Sequence, residues 1–151
     1  MVGCVFLGVS KGKLYMPRII QVKNIASYMI NNKGVDTFYI DSKNDFSVEC
    51  GKILIQLKKE FDFIKTIYVC DKNDDIVKGL ESYDNVLIYN QKFNRVERYK
   101  FIIDMCNILF FINNEQQLIN VLGENIDKQS LNDLEIAIDY CLSRNVISFQ
   151  L

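Results

Sequence analysis

Val2-Gly3-Cys4-Val5-Phe6-Leu7 forms an apolar run near the start of the sequence, and Gly8-Val9-Ser10-Lys11-Gly12-Lys13 follows it. The run has the length and composition of a buried β-strand, and the two glycines after it indicate a loop. Pro17 then suits the first turn of a helix, because a proline there loses no hydrogen bond. Gly34 can end that helix in the left-handed conformation. The stretch therefore predicts a strand, a loop and a helix in succession.

The same alternation continues to the end of the sequence. The pattern predicts six strands, at 2–7, 37–40, 66–70, 85–89, 108–112 and 146–149. After the first helix it predicts helices at 46–60, 96–106 and 131–144, with Ser130 as an N-cap, a weak helix near 76–81 and a short one around 117–122. Such alternation is typical of an α/β protein. We expect one domain over residues 1–151: a Rossmann-like three-layer αβα sandwich with a mostly parallel sheet of about six strands.

Charge, cysteine and histidine content exclude several classes of function. The 18 basic residues are balanced by 19 acidic ones, so there is no footprint for nucleic acid. No apolar run approaches the roughly 18 residues that span a membrane. Five cysteines without a Cys-x-x-Cys spacing indicate reduced thiols and a cytoplasmic location. The chain has no histidine, which excludes Ser-His-Asp and Cys-His catalysis and histidine metal sites. We therefore expect no catalytic residues, no metal and no cofactor.

Ligands of open parallel sheets bind beyond the carboxyl ends of the strands, so the loops there carry the candidate residues. In the first loop, Gly8, Ser10 and Lys11 are predicted phosphate contacts, since small residues and backbone N–H groups favour anions. The loop matches neither a dinucleotide-binding fingerprint nor a Walker A motif. The alternative is a turn whose glycines only relieve backbone strain. Lys11, Lys13 and Arg18 could contact an anion or belong to an ordinary solvated surface.

The second loop, Asp41-Ser42-Lys43-Asn44-Asp45, has no glycine and two carboxylates. Ser42 is a candidate ligand contact. Asp41 and Asp45 are expected to repel a phosphate unless Lys43 or a metal intervenes. The alternative is a solvated polar loop that caps the following helix.

Four stretches resemble the SLOG superfamily, in particular its YpsA-like branch, and they lie at 34–47, 56–65, 98–109 and 137–149. In that branch a strand ending in Phe-Tyr leads through a glycine-rich loop into a helix, which is similar to Phe38-Tyr39-Ile40-Asp41 followed by Phe46. Arg98 and Asp104 stand at the offsets of a basic and an acidic residue that precede a buried strand in the branch. The resemblance implies a Rossmann-like nucleotide-binding fold related to LOG phosphoribohydrolases and DprA-type proteins.

The departures from that branch concern its binding loop. Asp41 and Ser42 replace the paired glycines, and Asp45 replaces a third glycine. An aspartate adds a side chain and a negative charge where a phosphate would approach the backbone. The resemblance therefore implies an impaired nucleotide site. It also implies that Arg98 and Lys100 keep the basic element of the family.

Two interpretations of Arg98 remain open at this point. Arg98 could contact an anion, or it could form a structural ion pair, for instance with Glu97 or Asp104.

Three functions compete on this basis. The first is a non-catalytic SLOG-like domain, either a diverged sensor of a nucleotide-derived small molecule or a vestigial binder that acts through protein contacts. The second is a homo-oligomeric interaction module that uses some of the 8 Tyr and 10 Phe residues. The third is a LOG-type enzyme that cleaves an N-glycosidic bond, which would need the phosphate site and well-placed acids that the motif departures remove.

Overall fold

The computed structural model describes residues 1–9, 13–74, 80–112 and 128–151. The strands are β1 (Gly3–Gly8), β2 (Thr37–Asp41), β3 (Lys65–Asp71), β4 (Asn85–Tyr89), β5 (Ile108–Ile112) and β6 (Ile147–Gln150). The described helices are α1 (Met16–Lys33), α2 (Asp45–Leu57), α3 (Arg95–Ile103) and α4 (Lys128–Ser143), with a 3-10 turn at Leu80–Ser82. All strand pairs are parallel, in the order β4-β3-β2-β1-β5-β6. The predicted α/β class and six-stranded Rossmann-like sheet are confirmed.

The helix bounds differ from the sequence predictions in several places, and the helix predicted at 96–106 ends at Ile103. The helix predicted at 46–60 ends at Leu57, because Lys59 and Glu60 turn back to donate to carbonyls three residues earlier. Ser130 lies inside α4, which already includes Lys128, so the predicted N-cap is wrong. Of the weak helix predicted near 76–81, only residues 80 and 81 are described, and they belong to the 3-10 turn. The helix predicted around 117–122 lies outside the described residues.

The strand order reverses at β1, and this reversal locates the ligand edge. β1 pairs with β2 on one side and with β5 on the other, so that Val5 lies between Tyr39 and Leu109. From β1 the chain builds β2, β3 and β4 outward in one direction and β5 and β6 in the other. The connections diverge at such a reversal and leave a crevice at the carboxyl ends of the strands.

The four described helices lie on two faces of the sheet. A Cβ added to Gly8 would touch the Phe46 ring on α2, whereas one added to Gly3 would touch the Met105 carbonyl just after α3. Gly3 and Gly8 are five residues apart on one strand and therefore face opposite ways. α1 and α2 pack together on the first face, and α3 and α4 pack together on the second. This arrangement gives the three layers predicted for the fold.

Pro17 lies at the start of α1 and Gly34 at its end, as the sequence predicts. Pro17 lies in the first turn, and Gly34 follows the last turn with a φ of 68°. The N–H of Val35 donates to the carbonyl of Met29 to close this left-handed cap. All five cysteines are free and buried, as small apolar residues. Among the described helices, none has an apolar stretch long enough to cross a bilayer.

Candidate functional site

The side chain of Asn44 binds the backbone at the end of β1. Its Oδ1 accepts the N–H of Gly8 at 3.2 Å, and its Nδ2 donates to the carbonyl of Gly8 at 2.9 Å. The same Nδ2 donates to the hydroxyl of Tyr99 at 3.0 Å, and Oδ1 also accepts the N–H of Ser47. Asn44 is therefore both the N-cap of α2 and a bridge between β1, α2 and α3.

Gly8 is required at this point for packing. An added Cβ would lie 2.7 Å from Cγ of Phe46, well inside van der Waals contact. Phe46 is fully buried, so its ring has little room to give. The close approach of β1 to α2 therefore gives this glycine a packing role. A ligand-binding role for Gly8 stays a prediction.

Asp41 and Arg98 form a buried ion pair beside this bridge. The Nε of Arg98 donates to both carboxylate oxygens of Asp41, at 2.9 and 3.0 Å. The side chains are 7% and 0% exposed. Burial raises the pKa of Asp41, while Arg98 and the N–H of Lys43 oppose the shift. The structural ion pair that the sequence left open for Arg98 is present, but its partner is Asp41, not Glu97 or Asp104.

This pair also corrects the expectation for the second loop. The negative charge of Asp41 is compensated, because the guanidinium of Arg98 on α3 pairs with it. The loop is not solvated throughout, since both Asp41 and Asn44 are buried. Asp41 further accepts the N–H of Lys43 at 3.1 Å, and its own N–H donates to the hydroxyl of Ser47. The buried side chains of this loop therefore stabilise the start of α2.

A small cleft opens above the carboxyl ends of β1 and β2. Its volume is about 90 Å³, and it is lined by Gly8, Val9, Lys43, Asn44, Asp45, Arg95, Tyr99 and Ser130. The volume lies below the roughly 300–1,000 Å³ of usual small-molecule pockets. The described part of the cleft is large enough for a phosphate-sized group.

Both cations among the described residues of the cleft lining already have partners. Arg95 donates to the hydroxyl of Ser130 at 2.6 Å and to Asp133 at 3.4 Å. Lys43 lies 3.5 Å from Asp71 and 3.7 Å from Asp74. Both remain partly exposed, at 37% and 41%. Among the described residues that line the cleft, each of these two cations therefore has an acidic partner.

Some backbone N–H groups at the starts of α1, α2 and α3 also have partners within the protein. At α1, Arg18 and Ile19 donate to the carbonyl of Tyr15, and Pro17 has no N–H to offer. At α2 and α3, the side chains of Asn44 and Asn94 accept the N–H three residues later. These N–H groups are the ones that bind phosphates in related topologies.

Arg18, in the first turn of α1, is not the solvated residue that the sequence allowed. It is 6% exposed, and its guanidinium donates to the side chain of Gln21. Its Nε is buried without a hydrogen-bond partner. Among the described residues, no carboxylate lies within 4 Å of it. Burying a cation without a counter-charge is energetically unfavourable. The described residues therefore do not account for the burial of Arg18 at the start of α1.

The remaining predicted site residues lie apart from one another. Ser42 donates its hydroxyl to Asp74 at 2.9 Å, at the ends of β2 and β3. Lys100 places its ammonium 5.2 Å from the ring of Tyr140, between α3 and α4. Ser10 and Lys11 lie outside the described residues. The structure therefore brings Gly8 and Arg98 near the cleft, and it gives Lys100 a separate location.

The described residues offer no activated nucleophile or metal cluster. Burial raises the pKa of all five thiols, with Cys141 reaching about 11. A thiol must lose its proton to act as a nucleophile, so none of these cysteines is poised to react. Residues 1–9, 13–74, 80–112 and 128–151 contain no group of three potential metal ligands. Asp71 and Asp74 instead serve the turn after β3, where Asp74 accepts the N–H of Asp71; Asp75 lies outside the described residues.

Sequence reasoning missed Asn44, Arg95 and Tyr99. Asn44 immediately precedes a helical pattern and has a residue with an N–H to cap three places later, which is a readable N-cap signal. Nothing local marks Arg95 or Tyr99, because their partners come from other elements. Comparison with models of known protein families gave no match for this chain, and no curated protein matches it significantly.

Proposed function

We propose that this chain is a non-catalytic domain of the nucleotide-binding type whose phosphate positions are taken by internal hydrogen bonds, and which acts through protein contacts. The observation that supports this most directly is the double hydrogen bond between Asn44 and the backbone of Gly8. In a sheet of this topology, the end of the first strand and the helix after it are where a phosphate approaches the backbone. The hydrogen bonds of Asn44 to the end of the first strand support the proposal, because they give those backbone groups an internal partner.

Three further features support a non-catalytic role. The chain has no histidine, every thiol is buried with a raised pKa, and Asp41 is held by Arg98. General acid–base chemistry needs a titratable group within reach of a substrate proton. The resemblance to the SLOG superfamily, with its glycines replaced, agrees with the same proposal.

A thermal-shift series with AMP, ATP, cyclic AMP and ADP-ribose tests the proposal. A ligand at about 100 times its dissociation constant stabilises a protein by roughly 2.7 kcal/mol, which corresponds to roughly 5–10 °C for this chain length. We expect no nucleotide to raise the melting temperature. A rise with any of them that disappears in Arg95→Ala would contradict the proposal, as would release of free base from a nucleoside monophosphate.

Arg18 favours a second candidate function, a sensor of a phosphorylated nucleotide derivative. A bound anionic group would supply a counter-charge and a hydrogen-bond acceptor for the buried guanidinium, which the described residues do not supply. In that case inorganic phosphate and AMP would both stabilise the protein, and Arg18→Met would abolish the effect. Arg144→Met is the matched control, because Arg144 lies on the surface in an exposed pair with Asp104.

A further inference from the structure

Strand β4 lies at one end of the sheet and has β3 as its neighbour among the described strands. All five of its residues, Asn85–Tyr89, pair with β3 in an unbroken register. None of them is charged, and none is proline. Soluble proteins usually protect an end strand with a lysine, a proline or a bulge, because its outer N–H and C=O groups can bind another strand. β4 has none of these protections, so its outer edge is a candidate interaction surface.

The hydrogen bonds of β3 show which of its residues bond to β4. The N–H of Lys65 and the carbonyl of Val69 both bond to residues that flank β2. Backbone groups of successive residues point to opposite sides of a strand. The backbone groups of Tyr68 and Cys70 therefore point the other way, toward β4.

The register then identifies the backbone groups of β4 that point outward. Tyr68 lies beside Val86, and Cys70 lies beside Ile88. In a parallel pair, a residue bonds to the two neighbours of the residue beside it. The bonds to β3 thus come from the odd-numbered residues of β4. The N–H and C=O groups of Val86 and Ile88 therefore point away from β3, toward the outer edge.

The side chains of Val86 and Ile88 are also accessible, at 40% and 58% exposure. They lie on the same sheet face as Tyr68 and Cys70, because residues side by side in a parallel register share a face. Over β3 this face is covered by a small apolar cluster that includes Tyr83. Among the described residues the cluster does not extend to Val86 or Ile88. The outer edge of β4 therefore presents open backbone groups together with two β-branched side chains.

A second copy of this chain fits this edge if the two β4 strands run antiparallel about a two-fold axis at Leu87. Val86 of each copy then lies opposite Ile88 of the other, and each such pair exchanges both of its hydrogen bonds. This register satisfies every outward N–H and C=O group of Val86 and Ile88. It also makes the exposed β-branched side chains direct cross-strand neighbours, which stabilises a sheet.

The charges beside β4 favour the same antiparallel arrangement. Glu81 precedes the strand, Lys92 follows it, and both are exposed. Antiparallel pairing brings the segment before one strand to the same end as the segment after the other, so these opposite charges approach each other. Within the paired strands no like charges meet, because β4 has no charged residue.

We propose that this chain forms a symmetric dimer in which two β4 strands pair antiparallel and join the two sheets into one. An isologous contact of this kind is closed, since the same edge is used on both copies. The inference gives the protein contacts of the proposed function a partner, and in that respect it rests on that function. The dimer leaves the cleft accessible, because the described cleft lining includes no residue of β4.

Sedimentation velocity on the full chain, from low to high micromolar concentrations, tests the proposal. We expect the wild type to dimerise. Ile88→Lys should weaken dimerisation by about tenfold or more, because a lysine on an end strand opposes strand pairing. Ile147→Lys is the matched control, since Ile147 is also 58% exposed but lies on β6 at the other end of the sheet. This control should dimerise like the wild type.

Oxidation of the variant Leu87→Cys tests the register. The two copies of residue 87 form a non-hydrogen-bonded pair with Cα atoms about 4.5 Å apart, a separation that a disulfide can span. We expect a disulfide-linked dimer on a non-reducing gel. The wild type and Ile147→Cys are the controls and should give no such product, because the five native thiols are buried and Ile147 lies on β6.

A monomeric wild type overturns the proposal, and so does a dimer that Ile88→Lys leaves unchanged. Absence of a disulfide in Leu87→Cys overturns the antiparallel register about residue 87. This second variant adds no charge to β4, so it decides the matter even if Ile88→Lys fails to fold. The nucleotide thermal-shift series measures ligand binding alone, so failure of the dimer and failure of the proposed function are distinguishable.

Discussion

The side chain of Asn44 lies against the backbone of Gly8 and satisfies both its N–H and its carbonyl, at 3.2 and 2.9 Å. The two residues are 36 positions apart, so the contact ties the end of β1 to the start of α2. Four hydrogen bonds converge on this one amide, if those to Ser47 and Tyr99 are included. The side chain of Asn44 thus gives the backbone groups at the carboxyl end of β1 partners within the protein.

Asn44→Ala should lower the free energy of unfolding by about 2–4 kcal/mol, because it removes an N-cap and leaves buried backbone groups of Gly8 without partners. Urea denaturation measures the change. Asn94→Ala is the matched control, since Asn94 caps α3 by the same bond but is exposed and bridges nothing. We expect about 1 kcal/mol there. Equal losses in the two variants would mean that the hydrogen bonds to Gly8 contribute nothing to the free energy of unfolding.

Gly8→Ala should destabilise the protein by about 1–3 kcal/mol through overpacking against Phe46. The double variant Gly8→Ala with Phe46→Leu should lose less than the sum of the single losses, since a smaller side chain makes room for the new methyl group. Gly34→Ala provides a contrast: space is open around it, and its φ of 68° is the only obstacle. Strict additivity at Gly8 and Phe46, measured by urea denaturation, would contradict the steric explanation.

Arg98→Met should lower the free energy of unfolding by about 3–5 kcal/mol, because it leaves the carboxylate of Asp41 buried without its partner. Arg98→Met with Asp41→Asn should be more stable than Arg98→Met alone, since the uncompensated charge is removed. Arg144→Met is the matched control, because the pair of Arg144 with Asp104 is 54% and 43% exposed. Exposed pairs contribute only about 0–1 kcal/mol. Similar losses in Arg98→Met and Arg144→Met would refute the buried pair.

The five thiols should react slowly with an aromatic disulfide reagent at neutral pH, because all are buried and their pKa values are raised. In concentrated urea all five should react at the rate of free cysteine. Absorbance of the released thiolate follows both reactions. One rapid equivalent in the native protein would identify an activated cysteine and would revive a catalytic role.

Alkaline pH should destabilise the fold through Tyr68 and Tyr89. Burial raises the pKa of each from an ordinary value of 10 to about 12. Between these values the unfolded chain loses the phenol protons while the folded chain keeps them, so the unfolded state binds fewer protons and stability falls as pH rises. Below pH 10 the contribution should be constant. Urea midpoints across this range measure the effect, and the slope should decrease in Tyr89→Phe.

The sequence predicts the elements of the fold because their signals are local. The buried strand 108–112 is read from a run of apolar side chains, and the start and end of α1 are read from Pro17 and Gly34. The same local reading extended α2 to residue 60, because the amphipathic pattern continues after the backbone has turned at Leu57. Local patterns identified the sheet edge of the candidate site. They did not identify the hydrogen bonds and ion pairs that form there.

By itself, the sequence determined the α/β alternation, the reduced cysteines and the absence of histidine chemistry. Only the tertiary structure decided that Arg98 pairs with Asp41, 57 positions away, and that Asn44 covers Gly8. The physical reason is that periodicity reports which side of an element is buried, whereas partners within the buried layer are set by strand order and helix packing. A carboxylate that the sequence indicates as repulsive, Asp41, can therefore be neutralised by a helix that the loop's own sequence does not reveal.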